Sequence, residues 1–247
     1  MKKITPTLPK GTRDFGPGEM KKREYLFKIF KDTFSLYGFN ALETPSMENI
    51  NVLNGKYGEE GDKLIFRILD SGDFIKDVDN IESKDSNNLR KEISKKGLRY
   101  DLTVPFARYV SMNRDKITLP FKRYQIQNVW RADRPQKGRF REFYQCDVDY
   151  IGTKSIVCEA EIIDLVYSIF EKLKIQDFSV KLNNRKVLFG IVETLSLQDN
   201  FDKICIIIDK IDKIGKDKFI EELKNIELSK SQIEKLNSVL FFEGTNN

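Results

Sequence analysis

Apolar positions along the chain change period several times, and each change marks a different element. From Glu19 to Tyr37 the side chains Phe27, Phe30, Phe34 and Tyr37 recur at steps of three and four, which places them on one face of a helix. Pro17 and Gly18 precede it, and Gly38 stands where a helix C-cap belongs. A short extended run over Phe39 to Thr44 stops at Pro45. Leu64 to Leu69 and Asp73 to Ile75 flank Ser71 and Gly72, which predicts a hairpin. From Asp77 to Lys96 the chain is polar with isolated aliphatics and predicts a mobile surface loop. Gly97 to Thr103 leads into a helical turn from Val104 to Met112.

Two long strands follow. In the first, Tyr124, Ile126 and Trp130 share one face, and Arg123, Gln125, Gln127 and Arg131 share the other. In the second, Phe140, Tyr144, Cys146, Val148 and Tyr150 lie opposite Arg139, Arg141, Phe143, Gln145, Asp147 and Asp149. Ala132 to Gly138 has the length of an antiparallel hairpin loop. A helix is predicted from Ser155 to Leu173, with Glu159, Glu161 and Asp164 toward its positive end. Phe178 to Leu182 predicts a short strand. Beyond Asn183 and Asn184, four short helices are predicted over 187–195, 201–211, 219–226 and 233–242. Hairpins followed by helices, without strict alternation, predict an α+β fold with an antiparallel sheet flanked by helices, with domains at 1–183 and 184–247.

The polar strand face holds the candidate chemistry. Solvated Arg, Gln and Asp are ordinary on one side of an antiparallel sheet. Phe143 among them is not, and it offers a flat surface for a base. Arg131 with Arg139 or Arg141 supplies forks suited to phosphate, and Gln145 and Asp149 supply groups for a cationic or hydrogen-bonding ligand. Arg134, Lys137 and Arg139 charge the connecting loop, either as a solvated run or as a phosphate or nucleic-acid contact, with Gln136 able to read a base edge.

Composition narrows the chemistry. The 247 residues carry 43 Lys+Arg against 38 Asp+Glu, a net charge of only +5, and no histidine. Within them there is no Ser-His-Asp triad, no histidine-assisted cysteine and no His-containing metal site. Cys146, Cys158 and Cys205 lie far apart, which suits neither a zinc knot nor a disulfide framework. Cys146, on the apolar strand face, is expected as a small core residue. Scattered free cysteines, and no run of roughly 18 apolar residues, predict a cytoplasmic protein with no membrane partner.

Three segments together resemble the histidyl-tRNA synthetase family of class II aminoacyl-tRNA synthetases. They are Lys10-Gly11-Thr12-Arg13-Asp14-Phe15, Leu98 to Pro105 with its Arg-Tyr-Asp-Leu-Thr run, and Trp130 to Asp147, which looks like motif 2. Pro45 falls where motif 1 of the dimer interface has its proline. The resemblance implies that Arg131 is catalytic, holding the α-phosphate of ATP and the histidine carboxylate. Asp101, Leu102, Thr103, Arg131, Gln145 and Asp149 would bind L-histidine. Arg131, Asp133, Arg139, Arg141 and Phe143 would bind ATP, and Arg134, Gln136 and Lys137 would meet the acceptor end of tRNA(His). It further implies Mg²⁺ brought with ATP, no protein-held metal, and a homodimer formed through motif 1.

Asp101-Leu102-Thr103 and Asp149 depart from the Glu-Gly-Thr and Glu of many bacterial members. The family's second histidine-binding segment, motif 3 and the anticodon-binding domain are not among these residues. The resemblance therefore implies a first half of a longer enzyme, unable to aminoacylate alone. The alternatives are a regulatory subunit of ATP phosphoribosyltransferase, built on the same core, or another class II synthetase.

Overall fold

The computed structural model describes residues 5–55, 63–76, 78–226 and 228–242. The chain divides into two compact units, Met1–Phe178 and Ser179–Asn247.

In the first unit, helix α1 (Pro17–Leu36) has proline in its first turn, and the Glu19 carboxylate accepts from the Gly16 N–H at 3.1 Å. It ends in a Schellman turn: Gly38, at φ 77°, donates to the Ser35 carbonyl and Phe39 donates to that of Phe34. The strands and helices that follow are β1 (Asn40–Ala41), β2 (Met47–Asn49), α2 (Ile50–Asn54), β3 (Arg67–Ile68), α3 (Ser86–Ile93), β4 (Lys96–Leu98) and α4 (Thr103–Met112). Then come the two long strands β5 (Phe121–Trp130) and β6 (Glu142–Ile151), and helix α5 (Val157–Lys172).

One sheet has the order β1-β5-β6, parallel between β1 and β5 and antiparallel between β5 and β6; a smaller antiparallel sheet has the order β2-β4-β3. Among the described residues strand β6 therefore stands at an edge of its sheet. Tyr124, Ile126, Val148 and Tyr150 pack on Phe34, Phe39, Leu165 and Ile169, so the apolar strand face is the one covered by α1 and α5. The α+β expectation holds, with one parallel pair added.

Three local expectations are corrected. Residues 64–75 do not form a hairpin: Gly72 is in a turn, but β3 pairs with β4, and the Leu98 N–H donates to the Phe66 carbonyl at 2.8 Å. Burial of Ile65 decides this pairing. Gly97 lies so close that a Cβ there would come within 2.6 Å of the Ile65 side chain.

The described part of 77–96 is not a loop. It contains a single 3₁₀ turn (Ile81–Ser83) and α3, whose N-cap Asp85 accepts from the N–H groups of Asn87 and Asn88 at 2.8 Å. This helix buries no residue, so no apolar stripe announced it; the Asp85 cap is the one local signal of its start, and the reading of a loop passed over it. Finally, 178–182 is not a strand.

The second unit holds α6 (Arg185–Thr194), α7 (Phe201–Ile208), α8 (Ile211–Lys224) and α9 (Lys230–Leu240). Four helices were expected. The third starts eight residues before its expected start, at 211 rather than 219, because Gly215, at φ 77°, kinks it and breaks the periodic pattern. Val192, Leu197, Ile204, Ile207, Phe219, Leu223, Ile233 and Leu236 form its core. No helix among the described residues is long and apolar enough to cross a membrane.

Candidate functional site

The site is a ladder. Antiparallel pairing of β5 with β6 sets Val129 opposite Phe143, Gln127 opposite Gln145, Gln125 opposite Asp147 and Arg123 opposite Asp149. Alternate residues share a face, so these four pairs form one row, about 20 Å from Phe143 to Asp149 at the usual rise per residue. The face is not simply solvated. Arg123 and Gln125 are wholly buried, because α4 and residues 44–45 pack over that end.

At the open end, the Arg131 guanidinium lies 5.1 Å from the centroid of the Phe143 ring, and its Nε donates to the Tyr100 carbonyl at 3.0 Å. One planar cation is thus held between a carbonyl and a ring. Its remaining N–H groups can meet an anion, and the ring is available for a flat ligand. Gln145 Oε1 accepts from the Leu102 N–H at 3.1 Å, which turns its amide NH₂ away from that backbone. Asp101 is buried, and its Oδ1 accepts from the Val104 N–H at 3.0 Å, closing the first turn of α4; Thr103 beside it is exposed. Asp149 pairs with Arg123 at 2.5 Å.

Asp147 sits between these groups. Burial pushes its carboxyl up from the ordinary carboxylate value; the nearby Arg123 and Arg131 cations oppose this, and Asp149 and Asp101 add to it. The ladder and its neighbours Asp101 and Arg131 thus bring three carboxylates and two guanidiniums within reach of one another.

The connecting loop is a tight turn. Gln136 and Arg139 exchange backbone hydrogen bonds around Lys137 and Gly138, and Gly138 has φ 79°. Arg134, Gln136, Lys137 and Arg139 are exposed, and Asp133 is half-buried. Arg141 points elsewhere: its Nε donates to the Asp133 carbonyl at 3.0 Å, and its backbone N–H donates to the Gly11 carbonyl at 2.8 Å. In this arrangement Arg141 braces the loop. Gly11 has φ 88°, and a Cβ there would come within 3.0 Å of Pro135 and Arg141. Lys10-Gly11-Thr12-Arg13 and the loop are therefore one packed unit, and only glycine fits at its centre.

The structure brings Asp101, Leu102, Thr103, Arg131, Phe143, Gln145 and Asp149 to one face and leaves Arg134, Gln136, Lys137 and Arg139 on the projecting turn. Sequence reasoning missed Arg99. It is buried and donates to the carbonyls of Thr44, Pro45 and Asn128 and to Gln127 Oε1, at 2.6 to 3.1 Å. Burial lowers its pKa. The next two residues reach the site: the Tyr100 carbonyl holds Arg131, and Asp101 caps α4. The only sequence signal was a charge between apolar neighbours. Glu48, also buried, takes a bidentate contact from Arg108 at 2.7 to 2.9 Å, which fastens α4 to β2.

Cys146 is exposed, contrary to the expected core position, and lies outside the cluster that α1 and α5 form over Tyr124, Ile126, Val148 and Tyr150. Among the described residues no group of three or more His, Cys, Asp or Glu is placed to hold a metal ion.

Comparison with known proteins adds an independent line. A family profile described as histidyl-tRNA synthetase matches residues 89–240. Histidine–tRNA ligase of Cytophaga hutchinsonii is 55% identical over 242 residues, covering 98% of this chain and 53% of that protein. The Bacteroides fragilis ligase is 52% identical, with the same coverage of both chains. The chain thus spans about half the length of the curated relatives it matches. A crystal structure of histidyl-tRNA synthetase from a Nostoc species superposes with a TM-score of 0.80 at 29% identity, over 98% of this chain and 50% of that one. A Bacillus halodurans structure titled as an ATP phosphoribosyltransferase regulatory subunit/histidyl-tRNA synthetase superposes at 0.75 with 20% identity, over 97% of this chain and 56% of that one, which speaks for the fold alone.

Proposed function

The chain belongs to the histidyl-tRNA synthetase family, and we propose that it supplies part of the site where L-histidine is joined to tRNA(His) through a histidyl-adenylate. The observation that carries this reading is the ladder itself: a guanidinium against an aromatic ring at one end, and a carboxylate pinned by a buried arginine at the other.

In this reading Phe143 stacks on adenine, and Arg131 bridges the α-phosphate and the histidine carboxylate. A carboxylate oxygen attacks the α-phosphorus, the bond to the leaving oxygen breaks, and pyrophosphate departs. The terminal ribose hydroxyl of the tRNA then takes the histidyl group and releases AMP. Such steps depend on positioning and charge neutralisation, which arginines supply without a histidine. Asp101, Thr103 and Gln145 receive the α-ammonium, and Asp149 faces the imidazole. Arg139, with Asp133, serves the outer phosphates; Arg141 contributes by bracing the loop. Arg134, Gln136 and Lys137 meet the acceptor end of the tRNA. Mg²⁺, if used, travels with the ATP phosphates. Residues 1–183 form the catalytic portion and 184–247 the helical insertion, in a cytoplasmic homodimer built through the Pro45 region.

The test is histidine-dependent ATP–pyrophosphate exchange. The whole gene product is expected to exchange, and Arg131→Ala to lose roughly a thousandfold in rate without a matching loss of folding. The 247-residue chain alone is expected not to exchange at a synthetase-like rate; if it does, the reading of it as half a site fails. Filter binding of tRNA to the whole gene product separates this from the regulatory-subunit reading, which expects none.

A further inference from the structure

Arg123 is the most enclosed cation on the ladder, and it touches every element that frames the amino-acid end. It has no exposed surface. One terminal nitrogen pairs with Asp149 on β6 at 2.5 Å, and the other donates to Gln125 Oε1 on β5 at 3.3 Å. Its guanidinium carbon lies 4.3 Å from the centroid of Phe106, a buried residue of α4, the helix that Asp101 caps. Gln125 in turn donates to Gln127 and to the Thr44 hydroxyl, so the fork cannot swing without disturbing β5 and residue 44.

A guanidinium held this way is a poor choice for stability alone. Removing it from water is costly, and neither its Nε nor its Nη2 makes a hydrogen bond, so its contact with Asp149 is an ion pair. Its desolvation lowers its own pKa, while Asp149, Asp147 and Asp101 favour its charge. An apolar side chain packed under Phe106 would fill the space at less cost. What an apolar residue cannot do is fix the direction of a carboxylate.

We propose that Arg123 is a positioning residue for histidine: from the covered end of the sheet face it fixes the Asp149 carboxylate in the orientation that receives the imidazole ring. The inference rests on the assignment of Asp149 made above and adds the group that aims it. Arg123 itself touches no substrate. It pairs with one carboxylate oxygen of Asp149, a supporting contact of the kind that holds a binding group to within a fraction of an ångström.

The experiment is a double-mutant cycle in the whole gene product, read as KM for histidine and KM for ATP in pyrophosphate exchange, with thermal unfolding recorded for each variant. Asp149→Asn tests the underlying assignment and is expected to raise the histidine KM; no change there would remove that assignment and leave nothing for Arg123 to aim. Arg123→Met is expected to raise the histidine KM roughly 30-fold or more, the usual scale for stripping one partner from a buried charge pair, with the ATP KM little changed.

Arg123→Lys keeps the charge but not the fork, and is expected to raise the histidine KM several-fold. It serves as the decisive variant if Arg123→Met does not fold. In the Asp149→Asn background neither substitution should raise the histidine KM further. If Asp149→Asn weakens histidine while Arg123→Lys leaves its KM untouched, or if the effects add independently, Arg123 only supports the fold and the proposal is overturned.

Discussion

The two units are built on opposite principles. Every buried polar or charged side chain among the described residues, Thr33, Thr44, Glu48, Ser94, Arg99, Asp101, Arg123 and Gln125, belongs to the first unit. The second buries a core of aliphatics with Phe219 and no buried polar residue among those described. Burying polar groups lowers stability unless each finds a partner, so a unit that keeps them is retaining them for something other than packing. The contrast separates a part of the chain that must aim groups from a part that must only hold a shape. Any role of the helical unit would then lie on its exterior, where Lys203, Lys210, Lys213, Lys216 and Lys218 stand among acids.

Three substitutions put this contrast at risk. Arg99→Met strands the carbonyls of Thr44, Pro45 and Asn128 and the amide oxygen of Gln127, and should cost the first unit about 3 kcal/mol in urea denaturation. If the loss is below about 1 kcal/mol, the buried polar network is not the framework described. Ile204→Ala, at a fully buried position of the helical core, should cost about 2 to 3 kcal/mol of protection measured by amide exchange in residues 179–247, and leave histidine and ATP KM unaltered. A change in either constant would show that this unit also aims substrate groups.

The smallest effect is expected at Asp147. Its folded-state pKa is raised, so the stability tied to its protonated form is present below the ordinary carboxylate pKa and lost as pH rises through the raised value. Asp147→Asn should therefore raise the midpoint of thermal unfolding slightly at neutral pH, with the advantage vanishing on acidification. An advantage that persists at acid pH would assign the gain to packing.

How much of this was legible beforehand follows the same division. The helical unit was readable because apolar periodicity is its whole design, and the one large boundary error fell at Gly215, where the helix itself breaks. In the first unit β5 and most of β6 followed from alternation, but β6 begins at Glu142, so Arg139, Phe140 and Arg141 belong to the connection, and Cys146 is exposed. What alternation could not say is that half of the polar face is covered: whether Arg123 meets water depends on Phe106 and Thr44, residues distant in sequence. Arg99 was invisible for the same reason. The three motif segments pointed to residues that the structure gathers on the ladder and its loop, but not to Gly11 as the seat of that loop, because its contact with Arg141 joins the start of the chain to the residue before β6.

Arg99 also has a consequence for the order of events during folding. Its acceptors come from residues 44–45 and 127–128, and neither pair serves it without the other. An intermediate that enclosed the guanidinium with only one pair in place would bury a cation short of partners, and such a state lies uphill of both the open and the finished chain. Assembly around Arg99 should accordingly be all-or-none: pulse-labelled amide exchange during refolding is expected to find Leu42, Arg99 and Trp130 gaining protection in a single phase. A nascent chain would then pass directly from having no ligand groove to having one, without lingering as a half-built surface able to trap nucleotide.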